Sequence, residues 1–110
     1  MHAARGLMIW VSETFKPVSW HVEYPMSQVL ESGQVVREFI DLLLETNDGW
    51  IIIDHKATPR PRSDWQEIAR GYSGQLASYK SAVESVSGQP VVATWINFPV
   101  GGGVVKIEHG

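Results

Sequence analysis

The sequence predicts an α/β (α+β) fold in which a mixed central sheet is flanked by helices, in the order αβββαβ with one short strand at the end. Two observations carry this prediction. Apolar β runs at 34–46 and 50–56 are separated by Asn-Asp-Gly at 47–49, a tight-turn signal that predicts an antiparallel pair. A long amphipathic stretch follows at 64–87, and Gly88 is expected to end it.

The elements before this hairpin are a helix and a strand. Residues 3–15 carry apolar side chains at helical spacing and predict a leading helix, which Pro17 ends. Residues 18–24 alternate between apolar and polar side chains and predict the first strand. Pro25 is expected to end that strand, because proline cannot donate a hydrogen bond to a sheet ladder.

The elements after the hairpin begin with a loop at 57–63, which contains two prolines and two arginines. An N-terminal cap for the long helix is expected from Ser63 or Asp64, with Gln66 or Glu67 completing a capping box. The apolar run 91–98 predicts a fourth strand. A glycine-rich turn at 101–103 then leads to a last edge strand at 104–108.

The bulk properties bound the class of protein. A chain of 110 residues holds one domain at most, so residues 1–110 are predicted to form a single domain. Its leading helix is expected in 1–17 and its core in 18–108. The absence of cysteine excludes disulfide frameworks, thiolate zinc sites and cysteine nucleophiles, and it fits the cytoplasm. No apolar run is long enough to span a membrane. The net charge of −3 means that any contact with DNA must be local or mediated by a metal.

Charged side chains interrupt the second and third strands. By strand parity, Asp41 lies on one face, and the opposite face is apolar except for Glu38 and comprises Val36, Ile40, Leu42 and Leu44. Asp54 and Lys56 share a face because they are two residues apart, whereas His55 points the other way. A charge inside a strong strand is a conflict of the kind that clusters at functional sites.

Two aspartates that converge from paired strands form a hard oxygen site suited to Mg²⁺ or Mn²⁺. A buried carboxylate needs such a partner, and Lys56 beside it can hold a phosphate or orient an attacking water. An alternative stays open on these residues alone. In it, Asp54 and Lys56 are a surface pair at a strand end and Asp41 is an ordinary edge residue.

The long helix supplies a second group of candidates. One stripe at helical spacing comprises Ile68, Tyr72, Gln75, Tyr79, Ala82 and Val86. Aromatic residues in such a stripe usually belong to the core, so the tyrosines are ambiguous. Gln75 is more informative, because a buried amide needs hydrogen-bond partners, which a substrate backbone or a metal-binding carboxylate would supply.

Three ordered segments, 39–44, 50–56 and 72–79, carry a family resemblance. Trp50 to Lys56 contains Asp-His-Lys and is similar to the D-x-K motif, and 72–79 is similar to a Q-xxx-Y motif. Together with 20–25 as the first strand, these segments resemble the PD-(D/E)xK nuclease superfamily. Within this superfamily they resemble the RecB-like group. Inside that group they are similar in particular to the C-terminal nuclease domains of AddA-type (UvrD-like) helicase-nucleases. The resemblance implies a restriction-endonuclease-like core.

The resemblance also implies an activity and a set of roles. Asp41 and Asp54 would bind Mg²⁺ (or Mn²⁺) with the main-chain carbonyl of His55, and Lys56 would be the catalytic lysine. Gln75 and Tyr79 would contact the DNA backbone or order the site. The implied reaction is metal-dependent hydrolysis of DNA phosphodiesters, exonucleolytic and used in DNA repair and recombination. The implied partners are DNA and a helicase segment or partner subunit, with no membrane involved.

The chain departs from the family pattern at two points. Glu38 stands where the family usually has a glycine, just before the first aspartate. The family also has a metal-binding histidine on a helix well before the first strand, and the one histidine at such a place here, His2, is too close to that strand. The chain is therefore either an N-terminally truncated piece of a larger protein or a stand-alone relative with a weakened site. Two other functions stay open, a non-catalytic module that binds DNA or a partner and an unrelated α/β interaction domain. No G-xxxx-GK-[ST] motif is present, so a helicase would need another segment.

Overall fold

The computed structural model describes residues 3–107, without the side chains of 3–5 and 28. The elements follow the predicted order: α1 (Ala3–Phe15), β1 (Ser19–Val29), β2 (Val35–Thr46), β3 (Gly49–His55), a 3₁₀ turn (Arg62–Asp64), α2 (Trp65–Ser87), β4 (Val91–Phe98) and β5 (Gly103–Ile107). Within residues 3–107, no helix has the length and apolar character needed to cross a bilayer.

The five strands form one mixed sheet in the order β1-β2-β3-β4-β5. The β3–β4 pair is parallel and the other three pairs are antiparallel, so the predicted hairpin and the predicted mixed sheet are confirmed. Two buried clusters lie on opposite faces of this sheet. Ile52 packs with α2, while its neighbours Ile51 and Ile53 pack with α1, as alternation along a strand requires.

The alternation breaks in β1 and β2 at one level of the sheet. Trp20 and Leu42 pack in the α1 cluster, whereas Tyr24 and Ile40 pack in the α2 cluster. Glu23 lies between these two rungs and has a φ of 52°, a left-handed conformation that turns the strand. The predicted grouping of Ile40 with Leu42 on one face is therefore wrong, because strand parity fails across an irregular residue.

The first strand is longer than predicted. It continues through Pro25, which pairs with Phe39, and it ends at Val29. Proline is tolerated here because β1 is an edge strand, where one side of the backbone needs no ladder partner. The expectation that Pro25 ends the strand is wrong for this reason.

The start of α2 also differs from the prediction. Asp64 is the N-cap residue, but it makes no side-chain cap hydrogen bond. Its Oδ2 instead accepts a hydrogen bond from Arg60 Nε at 3.1 Å, and a 3₁₀ turn leads into the helix. The capping box is therefore wrong. The C-terminal end is as predicted, since Gly88 has a φ of 71° and closes the helix.

The buried face of α2 comprises Trp65, Ala69, Leu76, Tyr79 and Val83. The predicted stripe lies partly at its margin, where Ile68, Tyr72 and Ala82 are half-buried. Val86 was expected on that stripe but is 83% exposed, since the buried line runs through Val83 in the last turns of the helix. The helix thus brings Tyr72 and Gln75 to the edge of the core instead of its centre.

Candidate active site

Asp41, Asp54 and Lys56 meet at the end of the β2–β3 hairpin stem. Leu42 pairs with Ile53, so the next residues along the two antiparallel strands, Asp41 and Asp54, lie opposite each other. Lys56 Nζ lies 3.0 Å from Asp54 Oδ2. The His55 main-chain N–H donates to Asp41 Oδ2 at 2.8 Å. The structure thus brings together the three side chains and the main-chain segment that the sequence singled out.

Asp54 is a buried carboxylate that lies beside one cation, Lys56, and a second carboxyl group, Asp41. It is 5% exposed, and burial raises its pKa above the ordinary value. A hydrogen bond shared with the Asp41 carboxyl raises the pKa further, while Lys56 opposes the shift. Asp54 Oδ2 accepts no hydrogen bond of good geometry, although Lys56 Nζ is at ion-pair distance. One oxygen of this carboxylate therefore retains coordinating capacity.

The Lys56 ammonium is held from two sides. Asp54 Oδ2 lies on one side, and the ring of Tyr72 lies on the other with its centroid 4.1 Å from Nζ. A cation over an aromatic face is attracted by the ring quadrupole, so Tyr72 helps to fix the ammonium. The Lys56 side chain is 24% exposed, which leaves it open to an anionic ligand from solvent.

Gln75 and Tyr79 form a hydrogen-bonded pair one helical turn apart. Gln75 Nε2 donates to Tyr79 Oη at 3.1 Å, so the Tyr79 hydroxyl keeps its own proton for another acceptor. Burial raises the pKa of Tyr79 to about 12, and the negative charges of Glu38, Asp54 and Asp41 contribute to the increase. The hydroxyl is therefore protonated at neutral pH and lies within the field of all three carboxylates.

A sequence comparison bears on this arrangement. The sequence model of the PD-(D/E)XK nuclease superfamily matches residues 3–109. The chain belongs to this superfamily. The match spans the whole of the sheet and both helices, so the family resemblance predicted from the three ordered segments is confirmed, and with it the fold class.

Relatives of this superfamily member carry the name of the A subunit of an ATP-dependent helicase/nuclease. The protein of this name from Pelotomaculum thermopropionicum is 41% identical over 70 residues, which cover 64% of this chain and 5% of that protein. Its namesake from Oceanobacillus iheyensis is 30% identical over 96 residues, covering 71% of this chain and 8% of that protein. The chain therefore corresponds to a small part of the length of these relatives.

The His55 side chain lies on the opposite face of the sheet from the Asp54 and Lys56 side chains of the PD-(D/E)XK motif. Its imidazole lies on the α1 side of the sheet, where Nδ1 is 3.1 Å from Nδ2 of the buried Asn97. His55 and Asn97 line an open cleft of ≈ 350 Å³ together with Asp41 and Leu7. The side chain of His55 thus points away from Asp54, as predicted, and only its main chain lies beside Asp41.

The electrostatic effect of Glu38 on Tyr79 is a feature of this PD-(D/E)XK fold that the sequence did not predict. It shares a face with Ile40, and Ile40 packs in the α2 cluster with Tyr79. The charge of Glu38 accordingly raises the pKa of Tyr79. Strand parity placed Glu38 and Asp41 on opposite faces. In the structure both charges contribute to the raised pKa of Tyr79, a relation that no local pattern signals.

The donors for a metal ion are few. In the described part of the chain, no group of three or more His, Cys, Asp or Glu side chains is arranged to hold a metal ion. Asp41 and Asp54 are the neighbouring pair of carboxyl groups at this end of the hairpin. His2, the one histidine before β1, lies outside the described residues.

Proposed function

We propose that this chain is the nuclease part of a helicase-nuclease and hydrolyses DNA phosphodiester bonds with a divalent metal, acting as an exonuclease. One observation carries the proposal: Asp41, Asp54 and Lys56 converge in a fold that belongs to a nuclease superfamily. Two neighbouring carboxylates and a lysine form the combination that phosphoryl hydrolysis needs, since negative charge must be neutralised on the phosphate.

The donor set fits a small hard cation. Asp54 Oδ2 is buried and has the Lys56 ammonium 3.0 Å away, and the Asp41 carboxylate lies beside it. Mg²⁺ commonly binds through one or two carboxylates and keeps several waters, so two aspartates suffice for a weak site. We assign Asp41, Asp54 and the main-chain carbonyl of His55 to Mg²⁺ or Mn²⁺. A bound cation supplies Lewis-acid polarisation of the phosphate and neutralises its charge.

Lys56 is assigned to the scissile phosphate. Its ammonium carries three donors, is fixed between Asp54 and the Tyr72 ring, and remains partly exposed. A positive charge that is held in place before the reaction stabilises the charge that develops on the phosphate without a cost of reorganisation. Its contact with Asp54 also keeps the lysine within reach of the carboxylate pair.

Gln75 and Tyr79 are assigned to ordering the site and the DNA backbone. Because the Tyr79 hydroxyl accepts from Gln75, it can donate its own proton to a carboxylate or a phosphate oxygen. A tyrosine hydroxyl is protonated at neutral pH even at its ordinary pKa of 10.0, and the raised pKa of Tyr79 extends this to more alkaline conditions. The pair therefore acts as a neutral hydrogen-bond donor and not as a base.

The biological setting is proposed from the relatives' names. Proteins named as ATP-dependent helicase/nuclease subunits match this chain over a small part of their length. We infer that the chain acts beside a helicase segment or partner subunit, on DNA, in repair or recombination. The net charge of −3 agrees with this, because a chain without a general positive charge gains from a partner that holds the DNA.

The test is degradation of linear single- and double-stranded DNA with Mg²⁺ or Mn²⁺. It compares this chain with a version extended upstream, each with Lys56→Ala and with the exposed control Lys106→Ala. We expect weak cleavage by the chain and stronger cleavage by the extended version. Lys56→Ala should lower the cleavage rate by about 10²-fold or more, whereas Lys106→Ala should not change it. Cleavage that persists in Lys56→Ala and in EDTA would contradict the proposal.

A second candidate is a module of the same fold that binds DNA or a partner without cutting. The observation that favours it is the small donor set, since no group of three metal-binding side chains is found in residues 3–107. DNA binding without cleavage by both the chain and the extended version would establish this alternative in place of the nuclease.

A further inference from the structure

A stack of three side chains stands at the start of α2. The Arg62 guanidinium carbon lies 4.7 Å from the centroid of the Trp65 ring. Trp65 in turn stacks on Phe98, with centroids 4.5 Å apart and ring planes 7° apart. Trp65 and Phe98 are buried and Arg62 is exposed. The Arg62 stack, meaning these three side chains, therefore presents a cation at the surface on a buried aromatic base.

The turn before β5 fixes this base. An added Cβ at Gly101 would overlap the Trp65 ring, and one at Gly103 would lie 2.6 Å from Trp65 Cζ3. The glycine backbone therefore packs directly against the indole, and Phe98 closes its other face. With both ring faces and one edge occupied, Trp65 has little freedom, so Arg62 rests on a rigid surface.

The Arg62 stack lies at the same end and on the same face of the sheet as the candidate active site. β3 and β4 are parallel, with Asp54 opposite Ile96, and the Lys56 N–H donates to the Asn97 carbonyl at 2.9 Å. Phe98 is the next residue of β4, and it packs in the α2 cluster with Ile96. Adjacent strands are about 4.8 Å apart, so Phe98 is next to the backbone of Lys56.

Arg62 is also the uncommitted cation of its loop. The segment 56–62 carries Lys56, Arg60 and Arg62 and no acidic residue, within a chain of net charge −3. Lys56 is paired with Asp54, and Arg60 with Asp64. Among the described residues, the Arg62 guanidinium makes no ion pair, and its central carbon lies over the Trp65 ring. Its N–H edges remain available.

We propose that Arg62 binds a backbone phosphate of the DNA strand next to the phosphate held at Lys56. The inference rests on the proposed function and adds a second phosphate position to that site. A guanidinium can stack through its face while its edge donates two parallel hydrogen bonds to a phosphate, a geometry that lysine does not reproduce. The contact recognises the backbone and not the base, so it positions the strand without reading its sequence.

The test is fluorescence anisotropy of a labelled 20-nucleotide oligo-dT with the chain in EDTA, over a series of salt concentrations. The variants are Arg62→Ala, Arg62→Lys and Arg62→Glu. The control is Arg70→Ala, which removes an exposed arginine of the adjoining helix α2. Arg62→Ala should weaken binding about five- to tenfold and reduce the slope of log K against log salt by about 0.7, as expected for one lost phosphate contact. Arg62→Lys should be intermediate, and Arg62→Glu weakest.

Two outcomes overturn the inference. One is binding and salt slope in Arg62→Ala that match those of Arg70→Ala, and the other is no measurable binding by the unaltered chain. The melting temperature of each variant is the control for folding. Weaker binding counts as a lost contact only in a variant that melts at the same temperature as the unaltered chain. Cleavage that depends on Lys56 but not on Arg62 would overturn the inference and leave the proposed function intact. Binding that depends on Arg62, with no cleavage by either the chain or its upstream-extended version, would leave the inference intact and overturn the proposed function.

Discussion

At the scale of the residue, Asp54 is a charged side chain in a position that a core would normally give to an apolar one. It is 5% exposed, it adjoins a second carboxyl group, and one of its oxygens accepts no hydrogen bond. Burial and Asp41 together outweigh Lys56, so the pKa of Asp54 is raised above its value of 3.8 in model compounds. Without a bound cation, the ionised form of this side chain opposes folding.

Asp54→Asn should therefore raise the melting temperature in EDTA at pH 7. A raised folded pKa means that the folded state binds more protons, so stability is greatest below about 3.8 and falls as the pH rises through the folded value. The gain from Asp54→Asn should accordingly be largest at neutral pH and vanish near pH 4. A gain on the order of 1 kcal/mol would shift the melting temperature by roughly 4 °C.

The measurement is thermal denaturation from pH 4 to pH 8, with Asp48→Asn in the exposed hairpin turn as the matched control. Asp48→Asn should change the melting temperature little at any pH. A loss of stability in Asp54→Asn at pH 7 would show that the Lys56 contact is worth more than the burial costs.

At the scale of the element, the turn between β4 and β5 is built around Trp65. The ring occupies the space in which side chains at Gly101 and Gly103 would lie, so these positions need glycine for close approach. Two glycines within α2 have the opposite character. Gly71 and Gly74 have open space around them, and each weakens the helix without a packing reason.

Gly101→Ala and Gly71→Ala should consequently change stability in opposite directions. The added methyl at Gly101 overlaps the buried indole and should cost about 1–3 kcal/mol. The same methyl at Gly71 is exposed and should add about 0.5–1 kcal/mol through helix propensity. Urea denaturation of both variants checks the pair. Equal effects would mean that the turn can move away from Trp65.

At the scale of the whole molecule, the proposed site combines residues from two distant parts of the chain. The β2–β3 hairpin supplies Asp41, Asp54 and Lys56, while α2 supplies Gln75 and Tyr79 from about 20 residues further along the chain. A ligand that binds only this assembled arrangement stabilises the folded state by mass action. A divalent metal should therefore raise the melting temperature of the chain.

With Mn²⁺ or Mg²⁺ at ten times its dissociation constant, the stabilisation should be about 1.4 kcal/mol. Titration calorimetry gives the dissociation constant, which we expect to be weak because two carboxylates are the side-chain donors. The gain should disappear in Asp54→Ala and on addition of EDTA. A metal-induced shift that is the same in Asp54→Ala would place the cation elsewhere.

Local patterns in the sequence predict most of the elements and the relative placement of the candidate site residues. The Asn-Asp-Gly turn fixed the β2–β3 pair, and the period of 64–87 fixed the long helix ended by Gly88. The spacing of Asp54 and Lys56 put them on one face, and Gln75 and Tyr79 one helical turn apart. These features depend on residues that are neighbours along the chain, so local propensity and periodicity are sufficient to predict them.

The way in which these parts meet depends on packing between distant segments. Ile40 and Leu42 pack on opposite faces at the level where Glu23 has a φ of 52°, and the charge of Glu38 acts on Tyr79 across the fold. The parallel pairing of β3 with β4 placed Phe98 beside Lys56 and thereby set the position of the Arg62 stack. An irregular backbone angle and a pairing between distant strands are set by the packing of the whole sheet, and the pattern of apolar and polar residues in one segment does not encode them.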